Sequence, residues 1–149
     1  MGRRAISITL AVVCLAVLLG ATGLFVINRE TSYMQKCASE GFAIDGYYRD
    51  DKTSREILAF LEEDGCRWQL VDKDGICTDG QFERTDDPNI LVLQKGNGEE
   101  FGTVHVAYIS RRRNQGQIYL IRNTKVTRFY LVSTDPAFTV GSGDVDADV

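Results

Sequence analysis

Between residues 42 and 132 the chain is a series of short β-prone runs, and no connection between them exceeds seven residues. No other feature limits the fold as tightly. A parallel crossover needs a dozen or more residues, so each run can pair only antiparallel, and only with its neighbour in sequence. Eight runs are read, at 42–49, 56–61, 66–71, 76–84, 89–94, 100–109, 117–122 and 125–132. Asp64-Gly65, Asp74-Gly75 and Gly96-Asn97-Gly98 supply the positive φ angles that tight turns require. The expected fold class is all-β, a small antiparallel up-and-down meander or barrel of about eight strands. One segment competes with this pattern. Thr53-Ser54-Arg55-Glu56 matches a helix capping box ahead of Ile57, Leu58 and Leu61. The turn that follows leads straight into Cys66-Arg67-Trp68-Gln69-Leu70, which favours a strand.

The hairpin from Cys66 to Phe82 has a preferred register. Pairing Val71 with Cys77 sets Trp68 opposite Gly80 and puts Trp68 and Phe82 on one face, with Arg67, Gln69, Gln81 and Glu83 on the other. Slipping by one residue would set Phe82 against Arg67. The runs at 89–94, 117–122 and 126–132 are apolar on both faces or nearly so. They are therefore covered on both sides, or carry a core on one face and a ligand, helix or neighbour on the other. A closed barrel removes the sheet edges and buries the interior faces.

Ahead of these runs, residues 5–27 carry no charge and follow the basic start Met1-Gly2-Arg3-Arg4. A helix over 23 residues spans roughly 35 Å, enough for the hydrocarbon core of a bilayer. One reading is a single N-terminal transmembrane helix, with Arg3 and Arg4 holding the N-terminus in the cytoplasm and residues 28–149 extracytoplasmic. The other is a signal peptide cut near Ala21-Thr22-Gly23, which leaves a secreted product. Against cleavage, the apolar run continues through Leu24, Phe25, Val26 and Ile27. Cys14 follows Ala11-Val12-Val13 and lacks the small residue that a lipidation site wants before its cysteine. Ala16, Gly20 and Gly23 are spaced as helix-pairing positions are, and are equally ordinary in any membrane helix. The expected organisation is a basic start and anchor over 1–27, a stalk of an extra helical turn or two over 28–41, a β domain over 42–134 and a flexible acidic tail over 135–149.

Residues 28–149 hold 15 Lys and Arg against 21 Asp and Glu. That balance argues against nucleic acid as a partner. An exported domain with Cys37, Cys66 and Cys77 has one cysteine too many for internal pairing. The hairpin register keeps Cys66 from Cys77, so a disulfide would join Cys37 to Cys66 or to Cys77.

Asp45-Gly46-Tyr47-Tyr48, the run Leu58–Gly65 followed by Trp68, and Asp79-Gly80-Gln81-Phe82 resemble elements of small lipocalin-like barrel domains of bacterial exported proteins. The resemblance covers about 90 residues, from Ile44 to Val132. It implies a barrel able to hold a small apolar ligand, and it transfers no functional residue. Two departures stand out. Lipocalins usually have Trp where Tyr48 stands, and the bacterial relatives commonly carry a lipobox.

No set of residues announces catalysis. His105 is expected on the solvent face with Thr103, opposite Val104, Val106 and Tyr108, and without a Ser or Cys partner. The Asp72–Glu83 stretch fails as a calcium loop because Cys77 stands where the loop needs glycine. Arg111, Arg112 and Arg113 form a basic turn in an acidic domain and are candidates for contact with anionic headgroups or envelope polymers. The expectation is a membrane-anchored extracytoplasmic domain with no enzymatic activity, no cofactor and no bound metal, acting on an envelope partner. The alternative is a carrier or sensor of a small apolar ligand.

Overall fold

A computed structural model describes residues 2–63 and 65–138, with the helical residues 2–14, 18, 19 and 26 described by their backbone alone. The chain forms two compact units, Met1–Ser39 and Glu40–Val149.

The first unit is one helix, α1, running on to the domain boundary and spanning Gly2–Glu40. It continues 13 residues past Ile27, well beyond the one or two turns expected of the stalk. Residues 28–40 contain neither Pro nor Gly and include Arg, Glu, Met, Gln, Lys and Ala, all good helix formers, so nothing stops the helix earlier. It stops at Gly41, which adopts φ +88°. Among the described residues no helix is long and apolar enough to cross a membrane. Much of the 5–27 run falls outside the residues whose side chains are described.

The second unit is a closed barrel in which each strand pairs with the next and the last returns to the first. The strands are β1 (Gly46–Asp50), β2 (Ile57–Leu61), β3 (Arg67–Val71), β4 (Cys77–Arg84), β5 (Ile90–Lys95), β6 (Glu100–Ser110), β7 (Gln115–Arg122) and β8 (Lys125–Ser133). All eight expected runs are present as strands, and the capping-box segment opens onto a strand as well. The reason is Asp50. Its carboxylate accepts the backbone N–H groups of Thr53, Arg55 and Glu56 at 2.7–3.0 Å, together with the Thr53 hydroxyl. The donors that a helix start would have capped are used to close the β1–β2 turn instead.

The barrel interior is filled with rings. Tyr48, Phe60, Trp68 and Phe129 are fully buried, and Phe82 and Phe101 nearly so. Phe60 meets Tyr48 and Phe82 edge-on with centroids 5.9 and 5.5 Å apart, and Trp68 lies 4.6 Å from Phe101. The hairpin register is the expected one, with Val71 opposite Cys77 and Trp68 opposite Gly80. Gly80 is required there. A Cβ would stand 1.9 Å from the Gln94 carbonyl oxygen. The close approach brings the carbonyls of Gln81 and Gln94 within reach of the Trp68 indole N–H, which donates to both at 2.9 and 3.0 Å.

Three features depart from the sequence reading. First, β1 begins at Gly46 rather than at residue 42. Residues 41–45 form a strap over one end of the barrel, with Phe42 and Ile44 buried. Tyr48 donates its hydroxyl to the Ile44 carbonyl at 2.9 Å. Arg84 binds the Phe42 carbonyl at 2.8 Å and the Glu62 carboxylate at 2.7 Å, and also the Pro88 carbonyl. Asn89 accepts the Phe42 N–H, and Asp45 accepts the Glu62 N–H. Gly41 has no room for a side chain, since a Cβ would fall 2.7 Å from the Arg84 guanidinium and 2.8 Å from the Pro88 carbonyl.

Second, the β6–β7 ladder shifts register between Val106 and Tyr108. Ala107 is the extra residue of a bulge, so Tyr108 pairs with Gln117 on the outer face and does not share a face with Val106. Third, the chain after β8 turns back over the outside of β1–β3. Ala137 lies beside Tyr47, Ala59 and Gln69, and the Arg67 guanidinium sits 5.6 Å from the Phe138 ring. Ala59 and Gln69 are therefore buried although they face outward. The remainder of the expected acidic tail, residues 139–149, lies outside the described residues, as does Asp64 of the expected Asp-Gly turn.

Candidate functional site

The residues singled out in the sequence occupy separate places. His105 is exposed on the outer face of β6, between Ile90 of β5 and Tyr119 of β7. Cys66 and Cys77 stand at opposite ends of the β3–β4 hairpin, five strand residues or about 17 Å apart. The Cys66 thiol points to the Glu62 carbonyl at 3.7 Å. Burial pushes the Cys77 thiol above its ordinary pKa, and Asp79 adds to the shift. Cys37 is buried on α1, and none of Cys37, Cys66 and Cys77 is joined in a disulfide. Among the described residues no group of three or more His, Cys, Asp or Glu is placed to hold a metal ion.

Arg111–Arg113 form a single 3-10 turn between β6 and β7. Asn114 ends the turn in the left-handed region at φ 49°, and its side-chain amide donates to the Val132 carbonyl at 2.9 Å. The turn lies at the strap end of the barrel. There Arg111 pairs with Asp45 of the strap at 2.8 Å, and Arg112 is exposed. Asp45 also lies near the Tyr48 hydroxyl. Burial, with a further push from Asp45, holds the Tyr48 phenol protonated far above its ordinary range.

Beside this turn the outer face of β6–β8 forms a groove of about 340 Å³. Tyr108 and Tyr130 line it, with Asn114, Gln115, Gly116 and Leu131. Tyr130 is 38% exposed. Arg128 lies over the Tyr130 ring at 5.3 Å, and Arg49 of β1 is Tyr130's partner across the β1–β8 ladder. Asp51 takes two hydrogen bonds from Arg128, and this pairing raises the guanidinium pKa further. Gln117, next to Tyr130 on β7, donates to the Tyr119 hydroxyl.

Cations outnumber carboxylates along β6–β8. No Asp or Glu occurs between Glu100 and Asp135, a stretch that holds Arg111, Arg112, Arg113, Arg122, Lys125 and Arg128. All 21 acidic residues lie elsewhere in the chain. The last three strands are thus the cation-rich part of an acidic domain, with Arg111 paired to Asp45, Arg128 to Asp51, and Arg122 lying near Glu99 and Glu100. The far end of the barrel is different. Lys52, Lys73 and Lys125 surround a hollow of about 150 Å³ there, but Asp50 and Glu56 line it too.

The sequence reading found the arginine turn and missed the groove. The acid-free stretch was visible in the sequence. That Tyr108, Gln115 and Tyr130 share one depression depends on the Ala107 bulge and on the register of two hairpins. Compared with known proteins, the chain matches no family model, no curated protein and no solved structure.

Proposed function

We propose that this chain is a membrane-tethered binding module whose barrel lies on the extracytoplasmic side and takes its partner on the outside of the barrel. The observation that carries the reading is the filled interior. Six rings, Tyr48, Phe60, Trp68, Phe82, Phe101 and Phe129, occupy the space in which a lipocalin-like carrier would hold an apolar ligand. Opening that space would cost several kcal/mol per displaced ring, on the order of a large-to-small core substitution. Recognition on the basic, tyrosine-bearing flank of β6–β8 needs no such rearrangement. A non-enzymatic role fits the surroundings of His105, whose cross-strand neighbours are Ile90 and Tyr119.

The tether rests on the uncharged run at 5–27 and its basic start, which together fit a span with its N-terminus inside. The helix then continues through residue 40, a rise of about 20 Å past Ile27 at 1.5 Å per residue. Two measurements test the reading. A reporter fused after Val149 is expected to be active only outside the cytoplasm, and cytoplasmic activity overturns the topology. A photo-crosslinking residue at position 119 is expected to capture material in living cells, whereas one at exposed position 83 on the acidic side is not. Equal yields from the two positions overturn the assignment of the binding face.

A further inference from the structure

The arginine turn and the tyrosine groove are contiguous, and together they select a ligand chemistry. We propose that the β6–β8 groove binds an acidic polysaccharide, with sugar rings lying against Tyr108 and Tyr130 and the sugar carboxylate or phosphate groups meeting the surrounding arginines. The proposal rests on the outer-face binding reading above and deepens it.

Four observations carry it. The groove measures about 340 Å³, within the range of small-molecule sites, and is open along the barrel flank. Its walls are two tyrosines, which offer flat apolar faces together with hydroxyls. Its rim carries the amides of Asn114 and Gln115, neutral groups suited to sugar hydroxyls. Cations stand on both sides, Arg111–Arg113 ahead of Asn114, and Arg49 and Arg128 beside Tyr130. Guanidinium groups bind carboxylate and phosphate in planar, two-pronged fashion. Two of the flanking arginines already hold a carboxylate, Arg111 that of Asp45 and Arg128 that of Asp51. An extended polyanion with rings uses both the arginines and the tyrosine walls. Tyrosine also serves at lipid headgroups, so the phosphatidylglycerol arm of the test separates that source of anions from a polysaccharide.

The test uses the full chain in nanodiscs of phosphatidylcholine, with polygalacturonate as probe and dextran of equal length as the uncharged control. Polygalacturonate is expected to bind, and more weakly as salt rises; dextran is not. Arg112→Ser with Arg113→Ser, and separately Tyr108→Ser with Tyr130→Ser, are each expected to weaken binding about tenfold or more. Lys73→Ser, at the far end of the barrel, is expected to leave it unchanged. The fold of each variant is checked by the buried Trp68 fluorescence. No binding of polygalacturonate overturns the proposal, as does binding that survives the tyrosine substitutions. If the chain instead binds nanodiscs containing phosphatidylglycerol, the face is a headgroup contact and the proposal also fails. Crosslinks from position 119 in cells alongside a negative polygalacturonate result would remove only the ligand class. Their absence would remove the binding face itself.

Discussion

Two residues show how single positions set this barrel. Gly80 lets the β4 backbone approach β5 so closely that the Trp68 indole reaches two carbonyls. Gly80→Ala would push a methyl into the Gln94 carbonyl, where backbone, not a flexible side chain, must yield. A loss of about 2–3 kcal/mol is expected in denaturant titration, at the upper end for overpacking. Asp50 acts differently. Burial alone would raise its pKa, but the N–H groups of Thr53, Glu56 and Arg55 and the Thr53 hydroxyl outweigh burial and lower it. A carboxyl whose pKa is lower when folded stabilises the protein above its unfolded pKa, near 3.8, and loses that contribution as pH falls through the folded value. Asp50→Asn is therefore expected to cost about 1–3 kcal/mol at neutral pH and to flatten the acid limb of stability below pH about 4. An unchanged acid limb in urea titrations across pH would show that the turn does not depend on the charge. The aspartate is legible in the sequence as a turn residue. Its role as the acceptor that diverts Thr53–Glu56 from a helix is not, because the competing capping box uses the same local donors.

At the scale of elements, the strap over residues 41–45 is the piece most dependent on tertiary contacts. It has no strand partner, and one guanidinium, Arg84, joins the Phe42 and Pro88 carbonyls to the Glu62 carboxylate. The Arg84–Glu62 pair is half-buried, with side-chain exposures of 24% and 32%. Arg84→Met keeps the stem and removes the donors, leaving those acceptors unmatched. The expected cost is about 1–3 kcal/mol. Hydrogen exchange should accelerate at the Phe42 and Glu62 amides while β6 and β7 stay protected. Acceleration spread evenly over the barrel would mean that the strap and strands open as one unit. The β-prone residues of 42–45 suggested a strand from residue 42, and the suggestion fails because Gly46 at φ +133° turns the chain out of the sheet. The bulge at Ala107 is a second event of this kind. Alternation along β6 holds from Gly102 to Val106 and reverses after it, which sends Tyr108 outward and Ile109 into the core.

For the molecule as a whole, closure is the dominant property. An eight-stranded sheet whose last strand returns to its first has no free edge, so intermolecular strand pairing has no template. With its lone tryptophan fully buried, the barrel also has an internal reporter of global unfolding. Trp68 emission and far-ultraviolet circular dichroism are expected to change together in one cooperative urea transition of the Glu40–Val149 unit. A tryptophan signal that moves well before the β signal would mean that the ring-filled interior opens without the sheet. Such behaviour would favour ligand uptake inside the barrel over recognition on its surface.

By itself, the sequence determined that there are eight strands, that neighbours pair antiparallel, and that Trp68 sits over Gly80. These follow from short-range causes: connections too short to cross over, turn residues at fixed spacing, and a two-residue alternation that allows one register. The tertiary structure alone decided the strap across the barrel end, the return of residues 134–138 over β1–β3, and the meeting of Tyr108, Gln115 and Tyr130 beside the arginine turn. Those depend on how far each strand is staggered against the next as the sheet closes. They also need contacts between residues far apart in sequence, such as Arg84 with Phe42 and Asn114 with Val132, which no local stretch of residues encodes.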